Sequence, residues 1–323
     1  MGKSRTEGCK SKKVADGNHL LKVVHFTHPG GEFPVEGCKG IGSKQEVSWR
    51  TDGGHCRRLL CHKGQYIDRN WKFGTDNLAF WSEWEGPTTA TRISLKGDPF
   101  FARFVHRVRY PYTNDYDMEL SVRFDCGNGE KRQSGCGEKC GAFMDTDPCV
   151  FGRTFKYSHC RQDASSSLRG LSSGSLVVFG SYQRGIFLLD TVFVVDGGVG
   201  YKKESVSRIA CSEAYKNLTL RRVAGEHMFY RGVKYDEKAE VFSFTPARVC
   251  GEEGYGKRCM IKDLTKLNRL LNKQIFKYMP GFSIAVADKD KIKKVWNEIV
   301  RQVMAQGFGL GVHFGWPAKN MRE

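Results

Sequence analysis

The sequence predicts an α+β fold, a mostly antiparallel or barrel-like β-sheet with helices of the last third packed on it. Three observations carry that prediction. Two nearly continuous apolar segments, "GSLVVFGS" and "GIFLLDTVFVVDGG", adjoin near the middle of the chain. Two amphipathic stretches with helical spacing lie near its end. Short apolar runs bounded by Gly, Pro and Asp fill the first half.

Residues 1–19 are Gly, Ser and Lys with little to bury, and are expected to be a disordered basic N-terminus. Residues 20–200 form a β-rich core. Leu20 to Phe26 reads as a strand, ended by Pro29-Gly30-Gly31. "DGGHCRRLLCHKGQYID" reads as a loop followed by either a short helix or a strand, because its period is too short to decide. "NLAFWSEWEGP" is a strand broken by Gly86-Pro87, and "DMELSVRFDC" alternates well enough to be another. Residues 126–149 form a polar, Gly-rich, Cys-rich loop. Ser175 to Gly180 and Ile186 to Val195 make a hairpin turning at Tyr182-Gln183-Arg184-Gly185. Its apolar character on both faces places it at the centre of the sheet.

Residues 201–323 read as a helical C-terminal part packed on the same core. Leu264, Leu267, Leu270, Leu271 and Ile275 share one helical stripe, stopped by Pro280-Gly281. A second helix starts at the caps Asp288 and Asp290. It sets Ile292, Val295, Trp296, Ile299, Val303 and Met304 on one face and ends at Gly307. "GFGLGVHFGWP" reads as a last strand.

Composition narrows the function classes. The 323 residues are enough to bury a core, and no apolar run is long enough for a membrane span. The polar, basic start lacks the apolar segment of a secretory signal, so a cytoplasmic protein is expected, with most of its 12 cysteines as thiols. The net charge is +17. Residues 1–110 carry 19 basic and 11 acidic side chains, residues 111–200 carry 9 and 11, and residues 201–323 carry 24 and 13. Such a chain attracts polyanions, so nucleic acid or a nucleotide is the expected partner, with the basic stretch near residues 289–294 adding backbone affinity.

Three clusters could carry chemistry. In "FWSEWE" a strand would put Phe80, Ser82 and Trp84 on one face and Trp81, Glu83 and Glu85 on the other. A ring beside two carboxylates suits a base-reading pocket, with Trp81 or Trp84 stacking and a glutamate accepting from an exocyclic amine. The same pattern also describes an amphipathic strand with solvated glutamates. The second cluster is His55, Arg57, Arg58 and His62, in which the arginines suit phosphate. The third is "FGRTFKYSHCRQ", whose Tyr157 and Gln162 suit base or phosphate contacts. The thiols of Cys126, Cys136, Cys140 and Cys149 are a loose zinc-knuckle pattern, with His159 and Cys160 as spare ligands. No nucleotide-loop, dinucleotide, hydrolase-elbow or metalloprotease motif is present, and no cofactor is expected.

At the central hairpin, "GSLVVFGS" followed by "FLLDTVFVV" resembles the paired core strands of PUA-like domains, a superfamily that includes the ASCH and EVE types and is associated with nucleotide modification. The resemblance implies a small β-barrel holding a modified base in an aromatic cage. The Glu-x-Glu of Glu83-Trp84-Glu85 also resembles that of arginine-directed ADP-ribosyltransferases, although "VSWRTDGG" lacks their Ser-Thr-Ser strand. The expected function is therefore nucleotide or nucleic-acid binding. The alternatives are an enzyme acting on a nucleotide or nucleobase, with Glu83 or Glu85 as base and His55 as acid, and a non-catalytic interaction protein.

Overall fold

A computed structural model describes residues 20–29, 31–32, 57–84, 88–94, 98, 100–108, 147–278 and 281–317. The chain runs through β1 (Lys22–Pro29), β2 (Arg58–Ile67), β3 (Phe73–Ser82), β4 (Thr88–Arg92) and β5 (Phe104–Val108). It continues through β6 (Lys156–Tyr157), the short helix α1 (Ser166–Arg169), β7 (Leu176–Gln183) and β8 (Ile186–Tyr201). A 3₁₀ turn at Lys203–Arg208 leads into α2 (Glu213–Leu218), β9 (His227–Gly232), β10 (Thr245–Val249) and β11 (Cys259–Ile261). The chain then forms α3 (Leu264–Leu271), β12 (Gly281–Val286), α4 (Lys289–Met304) and β13 (Gly309–Phe314). The strand expected in "DMELSVRFDC" lies outside the described residues.

The strands make two sheets. One has the order β12-β1-β7-β8-β9-β6, with β11 also on β8. The other has the order β13-β10-β3-β2-β5-β4, and β13 pairs back onto β2. That pairing closes β2, β3, β10 and β13 into a small antiparallel barrel. The fold is α+β, as the sequence predicts.

The hairpin of β7 and β8 sits in the middle of the first sheet. Its two-residue turn, Arg184 and Gly185, has φ of 51° and 79°, the paired left-handed conformation that matches strand twist. Val177, Phe179, Phe193 and Val195 enter a core shared with the barrel's Leu60, Leu78, Phe80 and Phe314. Leu176, Val178, Val192 and Val194 enter a second core beneath α4. Both faces are covered, which explains the unbroken apolar run. At Gly180 a bulge brings the strands so close that a Cβ would lie 2.3 Å from the Leu188 carbonyl oxygen.

The "RLLCHKGQYI" segment is a strand, paired with β3 over its whole length from Arg58↔Ser82 to Ile67↔Phe73. Cys61 on β2 is disulfide-bonded to Cys250, which follows β10, while Cys149, Cys160, Cys211 and Cys259 are free thiols. The first C-terminal helix is shorter than its stripe suggests. It ends at Leu271 because Asn272 turns left-handed at φ 52° and the buried Asn268 carboxamide takes over the amides of Ile275 and Phe276. The last helix is capped at Asp288, whose carboxylate accepts from the Lys291 amide at 2.7 Å. Its expected stripe is buried from Ile292 to Val303, with Met304 half-buried. The C-terminal third supplies five strands besides its helices, so it is woven into both sheets. No helix among the described residues is long and apolar enough to cross a membrane.

Candidate functional site

The "FWSEWE" segment leaves β3 after Ser82 and splits as strand alternation demands. Phe80 and Trp84 enter the first core, with ring centroids 4.2 Å from Phe314 and 4.8 Å from Phe151 respectively. Trp81 points the other way, against Leu59, Ala79 and Ala102. Its indole donates to the Lys257 carbonyl at 3.1 Å, and the Arg258 guanidinium lies 4.5 Å from its ring centroid. Both tryptophans are buried, so neither offers an open stacking face. Glu85 and His55 lie outside the described residues.

Glu83 is not solvated but is the centre of a buried network. One carboxylate oxygen lies 2.9 Å from Arg57 Nη1 and the other 3.3 Å from His28 Nδ1. Arg57 Nε lies 2.9 Å from Asp190, whose second oxygen is 3.4 Å from Arg258 Nη2. Arg258 also donates to Ser181 Oγ at 3.1 Å. The four charged residues are 1 to 5 % exposed, and two guanidiniums balance two carboxylates. Buried charges persist only in such mutual neutralisation. Burial opposes the Arg57 charge, but Glu83 and Asp190 more than offset it and hold its pKa above the ordinary value. Burial lowers Arg258 to about 10, which leaves it a cation at neutral pH. Burial likewise raises Asp190, against the pull of both guanidiniums.

A thiol completes the row. Cys160 Sγ lies 3.2 Å from His28 Nε2, on the opposite side of the ring from Glu83. In the tautomer with the ring proton on Nδ1, Nε2 accepts from the thiol. The turn carrying Cys160 is anchored by Asp147, which accepts from the amides of Ser158, His159 and Cys160, each at 2.8 Å. Tyr157 donates to the Cys160 carbonyl at 2.7 Å, and Arg161 is held left-handed at φ 60°. Cys160, His28 and Glu83 thus lie in one row, brought from a turn, β1 and the segment that follows β3. A Cys160 thiolate also favours the Arg57 charge, so the two attract.

The other expected residues have different tasks. Arg58 is buried on β2, where its charge adds to burial in pushing His106 down to about 3. Tyr157 is fully buried and stacks on Tyr230. Gln162 is buried, and its carboxamide donates to and accepts from the Met228 backbone as a strand neighbour would. Of the cysteines proposed for zinc, Cys149 is a buried free thiol and the other three lie outside the described residues. No group of metal-ligating side chains occurs among the described residues. Sequence reasoning missed His28 altogether and marked Cys160 as part of the "FGRTFKYSHCRQ" cluster and as a spare metal ligand, not as a nucleophile. The only local signal was that Cys160 sits in the "YSHCRQ" segment beside the hairpin.

The buried histidines give the fold a pH limit. Burial holds His25 down to about 4, partly offset by its hydrogen bond to the Ile275 carbonyl. The unfolded chain binds a proton at this ring below about pH 6.5 and the folded chain does not. Stability therefore falls as pH drops from about 6.5 to 4, and His106 extends the loss towards 3. By linkage one such ring is worth roughly 3 kcal/mol. Urea midpoints measured across this range should fall steeply in the wild type and less steeply in His25→Gln.

Against protein-family models, curated proteins and solved structures, the chain matches nothing.

Proposed function

We propose that the chain is an enzyme of the nucleophilic-thiol class, with Cys160 as nucleophile, His28 as general base and Glu83 as the group that orients the imidazole. The observation that carries this is the line Sγ–Nε2 at 3.2 Å and Nδ1–carboxylate at 3.3 Å, built from three separate elements. The chemistry it suits is attack on an ester or amide carbonyl. The thiol proton passes to Nε2 as sulfur bonds the carbon. The leaving group then takes that proton, and water cleaves the thioester to release the acid. The Cys160 amide is committed to Asp147, so stabilisation of the oxyanion falls to another donor, and the Arg57 charge lies within electrostatic reach of the sulfur.

The test is alkylation with iodoacetamide as a function of pH, mapped to each cysteine by mass spectrometry. An ordinary thiol loses reactivity below its pKa of about 8.5. Paired with His28, Cys160 should react at a nearly constant rate from about pH 9 to 6, and His28→Asn should restore the ordinary profile. An ordinary profile in the wild type, or no labelling of Cys160 in the folded protein, overturns the proposal.

The net charge of +17 favours a second reading, nucleic-acid or nucleotide binding. The covered face of Trp81 counts against base stacking at that ring.

A further inference from the structure

A cavity of about 490 Å³ opens between the end of α1, the last residues of β8, the following 3₁₀ turn and the start of β9. It is distinct from the Cys160 row but shares a wall with the turn that carries it. His227 in the cavity wall is 2.9 Å from Asp163, and Met228 is hydrogen-bonded through its backbone to Gln162. Gly200, in the strand "DGGVGY", lines the cavity without a side chain. A Cβ there would meet only Met228 Sδ, at 3.6 Å, which is ordinary contact. Packing leaves room there for a larger side chain, which would project into the cavity.

The walls carry a definite chemistry. Arg169 and Lys202 are the two cations, and Glu226 is the one carboxylate. Glu226 pairs with Lys202 at 2.5 Å and also feels the Arg169 charge, while the Asp163 carboxylate stands behind the His227 ring, so Arg169 is the cation left to meet a ligand anion with Lys202 beside it. Arg169 is steadied by donating one guanidinium N–H to the Gln162 carbonyl. A steadied guanidinium beside an ammonium suits a phosphate. Glu226 can accept from hydroxyls, and the rings of Tyr201 and His227, 6.0 Å apart, supply a firm wall. The volume is in the range of small-molecule sites.

We infer that this cavity binds a hydroxyl-bearing phosphate monoester of nucleotide or sugar-phosphate size, with Arg169 and Lys202 holding the phosphate and Glu226 a hydroxyl. The inference does not depend on the role of Cys160. The test is isothermal titration of the full chain with adenosine 5′-monophosphate, ribose 5-phosphate and inorganic phosphate. At least one organic phosphate should bind saturably and more tightly than inorganic phosphate. Arg169→Gln and Gly200→Val should each weaken it about tenfold or more, as expected when a charge-assisted contact or the space itself is lost. Cys160→Ala should leave it unchanged. Circular dichroism melts of both cavity variants should match the wild type, and Gly200→Ala is the milder substitute if Gly200→Val lowers the melt. Absence of saturable binding to all three probes overturns the inference. So does binding that high salt abolishes and that neither variant alters, which would mark general attraction to a basic surface.

Discussion

Arg57→Met unfolds about 3 to 5 kcal/mol more easily than the wild type, the range for removing one partner from a buried ion pair. The guanidinium is 1 % exposed and lies between the carboxylates of Glu83 and Asp190. It comes from the segment entering β2, Glu83 from the end of β3, and Asp190 from β8, so it ties the barrel to the first sheet. Methionine fills much of the same space, so the loss reports charge rather than a cavity. The two carboxylates left behind repel, and Glu83 already acts to raise Asp190. Their folded-state pKa values then sit above the unfolded ones. The sign follows: the variant is least destabilised at low pH, and its deficit grows as pH rises above about 4. Adding Glu83→Gln to Arg57→Met should recover much of the loss, because the remaining Asp190 and Arg258 then balance each other. Denaturant midpoints of the single and double variants at two pH values check this. A loss under about 1 kcal/mol would mean that the cluster is no clamp between the sheets.

Trp296→Ala carries the second large effect, about 3 to 5 kcal/mol. The ring is 2 % exposed on the apolar face of α4. It stands edge-on to Phe242 at 4.9 Å and to Phe244 at 5.9 Å, and its indole donates to the Phe242 carbonyl at 2.9 Å. Truncation removes the contact area, leaves a cavity and strips a buried carbonyl of its donor. Trp71, 56 % exposed in the β2–β3 turn, is the internal control, and Trp71→Ala should shift stability by less than about 0.5 kcal/mol. Equal urea midpoints for the two alanine variants would contradict the assignment of Trp296 to the second core.

Much of the fold was legible in the sequence because its causes are local. The central hairpin was written in its unbroken apolar runs and in Arg184-Gly185, since strand burial and turn chirality act over a few residues. The last helix was written in its stripe and its Asp288 cap. The opposite faces of Phe80 and Trp81 followed from the period of two. Where local signals competed, the sequence misled. The Leu stripe of α3 continues on paper to Ile275, but Asn268 and Asn272 end the helix through contacts that the stripe does not encode.

The candidate site was hardly legible, and the reason is distance along the chain. His28 and Cys160 are 132 residues apart. They meet only because β1 lies parallel beside β7 while Asp147 anchors the turn that holds Cys160. Glu83 stood out as a carboxylate among tryptophans, but whether it met water or a guanidinium depended on how the barrel docks against the first sheet. The Cys61–Cys250 bond and the closure of β13 on β2 are of the same kind. By itself the sequence determined the class of fold, the central hairpin, the capped last helix and the strong positive charge, since propensity, period and capping are set by near neighbours. Only the tertiary structure decided which buried charges pair and which thiol faces which imidazole, because those contacts are set by the register and packing of strands far apart in the chain.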